Sequence, residues 1–449
     1  MKKIVIFDLD YTLVNTKACQ PYMTTKFGRE RIVDLIDSGE VATELYDSKI
    51  VNYFNNLKDK AIVLVLSDSP KSYCLSILKA HGFKIPREHV FGSAEKPLVE
   101  FDDILDTLDF LYPDEYDFDS ILVVGDSAKD IYFSHHISSP SILATWGCTF
   151  DIKLIECWAK PTLRANNIAE LKMHIDDFLR GEIDYIEHDF RNGYFVIDHD
   201  YTEYKIADKH IGYSKRYIPI KDKCTNKEDE SVSFNIRFVV KRAKNVAKDD
   251  LEHNIKQPFY KQDGTFGHSL GFKSLLGIYI KEFYEWAQNI GLKGKTLFIP
   301  VPSSLPIECY HSFPMFFMCQ CWTEWINDRK DLPYSATYTS LVDRWRPVTP
   351  SHLMKGARSI EHHLDSIGFF RSKDGRIKRD IENIIIIDDV VTSGSQMSAV
   401  ATLIKSVQNV REDVNIYGYA LAKTTHPNPA KNATFEDIVF ELDQAVADD

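Results

Sequence analysis

Hydrophobic positions in the first part of the chain form short, nearly uninterrupted runs, separated by stretches with helical spacing. The runs are Ile4 to Phe7, Ala61 to Leu66, Ile121 to Val124 and Ser141 to Thr145. Strands that are apolar at nearly every position are buried on both faces of a sheet, which is typical of parallel strands. A helical pattern over Ile168 to Leu179 then stops at Gly181. This pattern predicts a first α/β domain over residues 1–181.

Residues 182–231 show a different pattern, with short Tyr-rich pieces among many charges. It predicts a strand-containing connector with an exposed loop. Two roles stay open for its tyrosines: a hood over a neighbouring site, or ordinary hydrophobic packing. A second alternation of helices and strands follows and predicts another α/β domain over residues 232–449. Its expected elements are a helix over Ser274 to Asn289, a strand over Thr296 to Val301, a helix after Pro314, a strand over Ile384 to Ile387 and a helix from Gln396. The expected fold is therefore two Rossmann-like parallel-sheet domains joined by the connector.

The amino-acid composition excludes some classes of binding partner. The 449 residues include 54 Lys and Arg against 66 Asp and Glu, a formal net charge of -12. Such a surface repels nucleic-acid polymers and anionic lipids, so we expect neither as a partner. The chain has no apolar run long enough to cross a bilayer, its amino terminus lacks a secretory signal pattern, and its cysteines form no C-x-x-C pair. These features predict a soluble cytoplasmic protein with reduced thiols, and they leave open whether it forms a homodimer.

Two carboxylates and a hydroxyl follow the first expected strand directly: Asp8, Asp10 and Thr12. In α/β sheets, ligands bind at this carboxyl edge. Because neighbouring carboxylates repel one another unless a cation lies between them, and because Mg²⁺ prefers oxygen ligands, the pattern indicates a divalent-metal site. The alternative is that these acids only cap helices or face solvent.

Further polar residues follow the later strands of the same domain: Ser67, Lys96, Asp126 and Asp130. With the D-L-D-Y-T run at 8–12, they resemble the four motifs of haloacid dehalogenase superfamily phosphatases, over about residues 1–180. The resemblance implies that Asp8 is the nucleophile that accepts the phosphoryl group. It also implies that Asp10 protonates the leaving oxygen and then activates water, while Lys96 stabilises the developing charge.

The same resemblance assigns the remaining residues of this site. Phosphate oxygens would be held by Thr12, Ser67 and Lys96, and Mg²⁺ would be held by Asp8, Asp10, Asp126 and Asp130. Support of Lys96 is the alternative role of Asp130. Tyr11 stands where many members have glycine, so its ring is expected at the mouth of the site. Only a small helical cap fits before the second strand, and the sequence does not name the phosphate ester.

A second site is indicated near the carboxyl terminus, where a buried strand from Asn383 ends in two acids and a hydroxyl- and glycine-containing turn. Backbone N–H groups at a helix start hold phosphate, and adjacent carboxylates suit vicinal hydroxyls, so the pair indicates a ribose 5-phosphate. Residues 383–396 resemble the phosphoribosyl pyrophosphate (PRPP) signature of type I phosphoribosyltransferases. The implied PRPP-binding residues are Asp388, Asp389, Val390, Val391, Thr392, Ser393, Gly394 and Ser395. An ordinary helix cap is the alternative.

An upstream segment, Phe298 to Ser304, resembles the pyrophosphate loop of ComF-like members of that family. The candidate pyrophosphate-binding residues are Ser303, Ser304, Arg344, Arg346 and Arg358. A solvated face is an equally open interpretation of the arginines. Two departures from the family pattern are a loop after Ser304 without basic residues and the absence of an amino-terminal zinc ribbon.

Together, the two patterns predict a bifunctional enzyme of nucleotide metabolism. It would join PRPP-dependent phosphoribosyl transfer to Mg²⁺-dependent hydrolysis of a phosphate monoester through an aspartyl-phosphate. The expected ligands are small phosphorylated metabolites: PRPP and a nucleotide or sugar phosphate. Two alternatives stay open, namely a PRPP- or nucleotide-sensing domain that controls the phosphatase, and a nucleotide-degrading effector of stress or phage defence.

Overall fold

A computed structural model describes residues 1–23, 26–113, 115–197, 200–218, 270–309, 314–339, 341–349, 359–371, 376–408 and 410–425. Residues 219–269, which include the end of the expected connector, lie outside the described residues. Arg358, one of the candidate pyrophosphate ligands, lies outside them as well.

The first half of the chain alternates strands and helices. Its strands are β1 (Lys2–Phe7), β2 (Ala61–Leu66), β3 (Val90–Phe91), β4 (Tyr116–Gly125), β5 (Ser141–Ala144) and β6 (Leu163–Ala165). Its helices are α1 (Gln20–Met23), α2 (Lys26–Asp37), α3 (Lys49–Leu57), α4 (Lys71–Ala80), α5 (Phe101–Leu111), α6 (Ala128–His136), α7 (Ile152–Leu154) and α8 (Ile168–Arg180). Short 3₁₀ turns cover Lys17–Cys19 and Arg87–His89, and a π-helical turn covers Ile155–Ala159.

The six strands form one sheet in the order β3-β2-β1-β4-β5-β6, and all of its pairs are parallel. Successive residues of β1 enter different cores: Val5 and Phe7 pack on one face, while Ile4 and Ile6 pack on the other. Burial on both faces explains why the strand is apolar at every central position. Helix α8 is preceded by Asn167, whose side chain caps it by accepting from two backbone N–H groups, and is followed by Gly181 with φ +80°.

The second half repeats the alternation. Its strands are β7 (Tyr194–Phe195), β8 (Ile211–Tyr217), β9 (Gly294–Pro300), β10 (Tyr334–Tyr338), β11 (Val342–Arg344), β12 (Ile367–Phe370), β13 (Asn383–Val391) and β14 (Asn415–Thr424). Its helices are α9 (Leu270–Asn289), α10 (Pro314–Asp328), α11 (Ile360–Leu364) and α12 (Ser395–Val407). Short 3₁₀ turns cover Phe190–Gly193, Asp208–His210 and Ile307–Cys309.

The second sheet is also parallel, in the order β10-β9-β13-β14-β8. Alternate residues of β13 again enter different cores, with Ile385 and Ile387 on one face and Ile384 and Ile386 on the other. Strand β8 comes from the expected connector, yet it pairs with β14 as an edge strand of this sheet. The expected α/β class with two parallel sheets is confirmed.

A small antiparallel sheet, β11-β12-β7, joins the connector to the second half. Trp158 of the first half packs against it, with its ring centroid 4.7 Å from that of Phe370 and 6.0 Å from that of Tyr194. The two halves are therefore in direct contact through aromatic side chains. Among the described residues, no helix has the length and apolar character needed to span a bilayer.

Candidate functional site

The strand ends of the first sheet bring the predicted polar residues to one edge. Phe7 is in register with Val65 on β2 and with Val124 on β4, so the residues that follow these strands emerge side by side. The backbone N–H of Asp8 donates to the carbonyl of Val124 at 2.8 Å, which extends the pairing by one residue. The edge of the sheet thus positions Asp8 next to the loop that carries Asp126.

Lys96 lies between two carboxylates at the centre of this edge. Its Nζ donates to Asp8 Oδ1 at 2.7 Å and to Asp130 Oδ1 at 2.5 Å. All three side chains are less than a tenth exposed. A buried charge is costly unless it is paired and hydrogen-bonded, so this arrangement is held by mutual compensation.

Helix α6 presents Asp130 to Lys96 through its first turn. Ser127 caps the helix, and its N–H and Oγ both donate to Asp130 Oδ2, at 3.1 and 2.6 Å, in a capping box. Gly125 makes the close approach possible, because a Cβ atom there would lie only 2.2 Å from Asp130 Cγ. The Gly-Asp-Ser turn therefore fixes both Asp126 and Asp130.

Three carboxylates form a group that could hold a metal ion: Asp8, Asp126 and Asp130 each offer an oxygen, all within 4.8 Å of one another. Thr12 Oγ1 lies 3.0 Å from Asp126 Oδ1 and 3.4 Å from Asp8 Oδ2, so its hydroxyl joins two of them. Asp10, also expected among the ligands, is not part of this group of three. Its carboxylate is engaged elsewhere.

The electrostatics of the group follow from its burial. Burial raises the pKa of Asp8 to about 7, with Asp130 and Asp10 adding to the shift and Lys96 opposing it. Burial also raises the pKa of Asp126 well above its usual range, reinforced by Asp8 and Asp130. Burial disfavours the charge on Lys96, yet its carboxylate neighbours outweigh this and raise its pKa. Three acids around one ammonium thus leave an excess of negative charge, which a divalent cation would relieve.

Asp10 is held by hydroxyl groups. Its Oδ2 accepts from Ser67 Oγ at 3.2 Å and from Ser69 Oγ at 2.7 Å, and its Oδ1 accepts from Tyr73 Oη at 2.8 Å. Ser67 also accepts from the backbone N–H of Ser69 at 3.0 Å. These contacts orient the Asp10 carboxylate without neutralising it by an ion pair, which suits a group that moves protons.

Tyr11 has φ +63°, in the left-handed region, which is uncommon for a residue with a side chain. Burial raises the pKa of its hydroxyl to about 12, with Asp10 and Asp126 adding to the shift. The hydroxyl oxygen of Tyr11 is buried, and the expected place of the ring at the mouth of the site stays a prediction.

At the second candidate site, the two predicted acids lie inside β13, which continues past them to Val391 and is therefore longer than the expected strand over Ile384 to Ile387. Ile387 is in register with Pro300, the last residue of β9, and with Tyr419, an inner residue of β14. The acids therefore lie just beyond the end of β9, while β14 continues beside them. Asp388 is buried, and burial together with Asp389 raises its pKa well above the usual range. Asp388 Oδ1 accepts from the N–H of Asp389 at 2.8 Å, and Asp389 Oδ1 accepts from the N–H of Val390 at 2.7 Å.

The turn after these acids leads into helix α12. Gly394 precedes the helix with φ +74°, a conformation that favours glycine. Ser393 Oγ lies 2.9 Å from Ser395 Oγ, and Thr392 Oγ1 lies 3.0 Å from Thr424 Oγ1. Thr392 and Ser393 are exposed, while Val391 and Gly394 are buried. A helix start with exposed hydroxyls is chemically suited to an anion.

The upstream loop lies beside this turn. Gln396 Nε2 donates to the carbonyl of Pro302 at 2.7 Å, which links the start of α12 to the residue before Ser303 and Ser304. Gln396 therefore braces the two loops together. The structure brings Ser303 and Ser304 to the same edge as Asp388.

The arginines differ in their surroundings. Arg344 is only 2% exposed, and its guanidinium donates to the carbonyl of Ser303 at 2.5 Å and to Ser366 Oγ. It therefore holds the Ser303–Ser304 loop through the carbonyl of Ser303. Arg346 is exposed and stacks over the ring of Trp345, 4.9 Å from its centroid. The two arginines therefore differ: Arg344 is buried and supports the loop, whereas Arg346 is exposed and stays a candidate ligand for an anion.

Several residues of the site were not predicted from the sequence. Ser69 and Tyr73 contact Asp10, while Asp68 accepts from the N–H of Lys96 at 2.8 Å and pairs with Lys129 at 2.9 Å. The run Ser67-Asp-Ser69 directly after β2 was the available signal, because all three residues lie at the ligand-binding edge.

Comparisons with known proteins bear on the first half. Its structure is similar to those of solved hydrolases and phosphatases. A hydrolase from Pseudomonas syringae is 16% identical, with 39% of this chain and 99% of that chain covered and a TM-score of 0.31. A haloacid dehalogenase-like family hydrolase from Streptococcus pneumoniae is 16% identical, covering 39% and 98%, with a TM-score of 0.29. A predicted phosphoglycolate phosphatase from Haemophilus somnus is 20% identical, covering 39% and 98%, with a TM-score of 0.27.

No family model matches the chain, and no curated protein matches it either. Structural similarity at this level leaves the chemistry of the site to be decided by the residues of this chain.

Proposed function

We propose that the amino-terminal half hydrolyses phosphate monoesters with Asp8 as the nucleophile. The observation that carries the proposal is the buried Lys96, whose ammonium contacts both Asp8 and Asp130 beside the Asp126 carboxylate. A purely structural ion pair needs one acid, whereas here three acids surround one base. The excess negative charge is the environment expected where a cation and an anionic substrate are bound together.

The residues fit a two-step reaction. An oxygen of Asp8 attacks phosphorus, the ester oxygen leaves, and Asp10 supplies the proton that the leaving alcohol requires. Water then attacks the phosphoryl group on Asp8, and Asp10 takes up a proton from that water, so the enzyme returns to its starting state. Lys96 stabilises the charge on the phosphoryl oxygens during both steps.

The residues also fit Mg²⁺. The acids that would hold it are Asp8, Asp126 and Asp130, since they supply hard oxygen ligands from one buried group. Bound there, the ion would neutralise part of the charge shared by the carboxylates and the phosphoryl group.

The test is hydrolysis of p-nitrophenyl phosphate and of a panel of nucleotide and sugar phosphates by the full chain. Activity should require Mg²⁺, disappear with EDTA and be lost in Asp8→Asn. A phosphoryl label on the Asp8 peptide that hydroxylamine removes should appear during turnover. Unchanged hydrolysis by Asp8→Asn would contradict the assignment of the nucleophile.

We propose further that the carboxyl-terminal half binds PRPP and transfers its phosphoribosyl group to a nitrogen nucleophile, so that the chain is bifunctional. The support is the meeting of Asp388 and Asp389 with the turn before α12 and the Ser303–Ser304 loop at one sheet edge. Hydrolysis of the resulting 5'-phosphate would make the transfer irreversible. An Asp8→Asn chain should then accumulate the phosphorylated product, and unchanged release of a dephosphorylated product would contradict this coupling.

The second candidate function for the carboxyl-terminal half is a sensor that binds PRPP or a nucleotide and controls the phosphatase. The burial of Arg344 favours it, because the guanidinium of this arginine donates to the carbonyl of Ser303 and so supports the loop. Calorimetry with PRPP, combined with an assay for released pyrophosphate across a panel of bases, separates the two. Binding with release supports a transferase, and binding without release supports a sensor. Loss of binding in Asp388→Asn would place the ligand at this edge.

A further inference from the structure

The two halves meet at a hydrogen bond between Tyr132 and Glu308, which are 176 residues apart in the sequence. Tyr132 Oη donates to Glu308 Oε1 at 2.5 Å, and both side chains are less than a tenth exposed. Burying a carboxylate has a cost in desolvation free energy that an apolar contact between the halves would not have. A directional bond here fixes orientation as well as contact.

Tyr132 lies on helix α6, two residues after Asp130. Residues two apart on an α-helix point in directions about 200° apart. Asp130 therefore faces Lys96 while Tyr132 faces the second half, and α6 lies between the two. Any rotation of the helix that breaks the Tyr132 bond also moves Asp130.

Glu308 is itself held in place by the second half. It lies in the 3₁₀ turn Ile307–Cys309, where the N–H of Ile307 donates to Asp343 Oδ2 at 3.2 Å. Cys309 packs against the apolar cluster that includes Ala128 and Ile131 of α6. The turn Ile307–Cys309 is therefore held by the second half and packs against α6.

We propose that Glu308 is a positioning residue for the amino-terminal site, acting through Tyr132 to hold α6 so that Asp130 meets Lys96. This role rests on the proposed phosphatase activity for its kinetic consequence. The first sheet supplies Asp8, Asp126 and Lys96, and the second half completes the site by orienting the helix that carries the fourth residue. The capping box with Ser127 sets the local conformation of Asp130, and the Tyr132–Glu308 bond sets where α6 carries it relative to Lys96.

The test uses full-length variants that separate the hydrogen bond from the volume of the side chain. Glu308→Met keeps the volume and removes the acceptor, whereas Glu308→Gln keeps an acceptor for the Tyr132 hydroxyl. Tyr132→Phe removes the donor and keeps the ring. Phe370→Leu is the matched control, because it loosens the ring contact with Trp158 at the same interface and leaves both partners of the Tyr132–Glu308 bond in place.

Hydrogen exchange measured by mass spectrometry gives a readout that does not depend on activity. Glu308→Met and Tyr132→Phe should speed exchange of the amides at 127–131 by about tenfold, while α8 and the Phe370→Leu control stay as in wild type. Glu308→Gln should behave like wild type. Unchanged exchange at 127–131 in Glu308→Met overturns the proposal.

Kinetics with p-nitrophenyl phosphate and Mg²⁺ then separate positioning from simple support. We expect kcat to fall about tenfold with KM unchanged in Glu308→Met and in Tyr132→Phe, and the double variant to be no slower than either. Faster exchange with an unchanged kcat would show a merely structural bond and overturn the proposal. If wild type hydrolyses no ester, the proposed phosphatase fails, and exchange alone decides whether Glu308 orders the α6 turn.

Discussion

Lys96 and Asp8 form a buried ion pair, with the ammonium nitrogen 2.7 Å from a carboxylate oxygen of the proposed nucleophile. The same ammonium contacts Asp130, so one cation serves two acids. An attacking carboxylate is oriented by such a contact before substrate arrives, and the ammonium is already in place for the phosphoryl charge.

Replacing the ammonium by an apolar chain of similar length tests this role. Lys96→Met should lower kcat by about 10²–10³, the usual effect of removing one donor to transition-state charge. It should also destabilise the metal-free protein by about 3–5 kcal/mol, because the remaining acids are left buried without their cation. Lys60→Met is the control, since its pair with Asp176 is exposed and should cost at most about 1 kcal/mol. Steady-state kinetics and urea unfolding measure both effects.

The pH dependence of Mg²⁺ binding follows from the raised carboxyl pKa values. The pKa of Asp8 rises from 3.8 to about 7 in the fold. Between these two values the folded chain holds a proton that the unfolded chain has lost, so the stability of the metal-free protein falls as the pH rises through this window. Asp126 shifts in the same direction.

Because Mg²⁺ replaces those protons, its affinity should increase by up to about tenfold per pH unit below pH 7 for each proton released. Saturating Mg²⁺ should therefore raise the melting temperature more at pH 8 than at pH 5.5. Calorimetry in two buffers of different ionisation enthalpy counts the protons. Equal affinity at the two pH values would show that these acids do not hold the metal.

The assignment of Asp10 as the group that moves protons is tested by changing the leaving group. Asp10→Asn should slow transfer from an alkyl phosphate by about 10²–10⁴, whereas transfer from p-nitrophenyl phosphate, whose leaving oxygen needs little help, should slow far less. The aryl ester should then leave phosphorylated Asp8 behind, because water is no longer activated. Rapid-quench kinetics detect this burst.

Ser69→Ala is the matched control, since it removes one of the three hydroxyl contacts to Asp10. It should slow both esters less than tenfold. Equal slowing of the two esters in Asp10→Asn would indicate that Asp10 does not act as the acid.

Both parallel sheets could be predicted from the sequence because their central strands are buried on two faces and so are continuously apolar. The meeting of Asp8 with Asp126 follows from this, since parallel strands end at a common edge. Strand β8 was expected in a connector because an edge strand that is half-exposed carries tyrosines and charges. Its pairing with β14 depends on a contact about 200 residues away, which no local pattern encodes.

Individual side-chain contacts could not be predicted either, because they join residues that are far apart in the sequence. The bond between Tyr132 and Glu308 joins two surfaces whose fit depends on the folded halves. Arg344 and Arg346 are two residues apart, yet only Arg344 is buried, because β11 ends there and the alternation of faces stops. The local sequence therefore does not show which of the two arginines is buried.

This difference between the arginines is itself testable. Arg344→Met should destabilise the fold by about 3–5 kcal/mol, since Ser303 and Ser366 lose a buried charged donor. Arg346→Ala should change stability by less than about 0.5 kcal/mol and instead weaken PRPP binding. Urea unfolding and calorimetry measure the pair. If Arg346→Ala binds PRPP as wild type does, the exposed arginine is not a pyrophosphate ligand.

Two glycines with similar backbone angles allow the phosphate turn to be tested without confusing strain with binding. Gly394 has φ +74° and Gly291 has φ +67°, so alanine at either position should cost about 1–2 kcal/mol of stability. At Gly394 the added Cβ would also lie 2.7 Å from Ile211 Cδ1, at the turn that precedes α12, whereas at Gly291 it would meet open space. Both variants should therefore melt earlier, but only Gly394→Ala should weaken PRPP binding, by about tenfold or more, because only there does the strained residue belong to the turn that would hold the 5-phosphate. Equal PRPP affinity in the two variants would mean that the turn before α12 is an ordinary helix start and that the phosphate lies elsewhere.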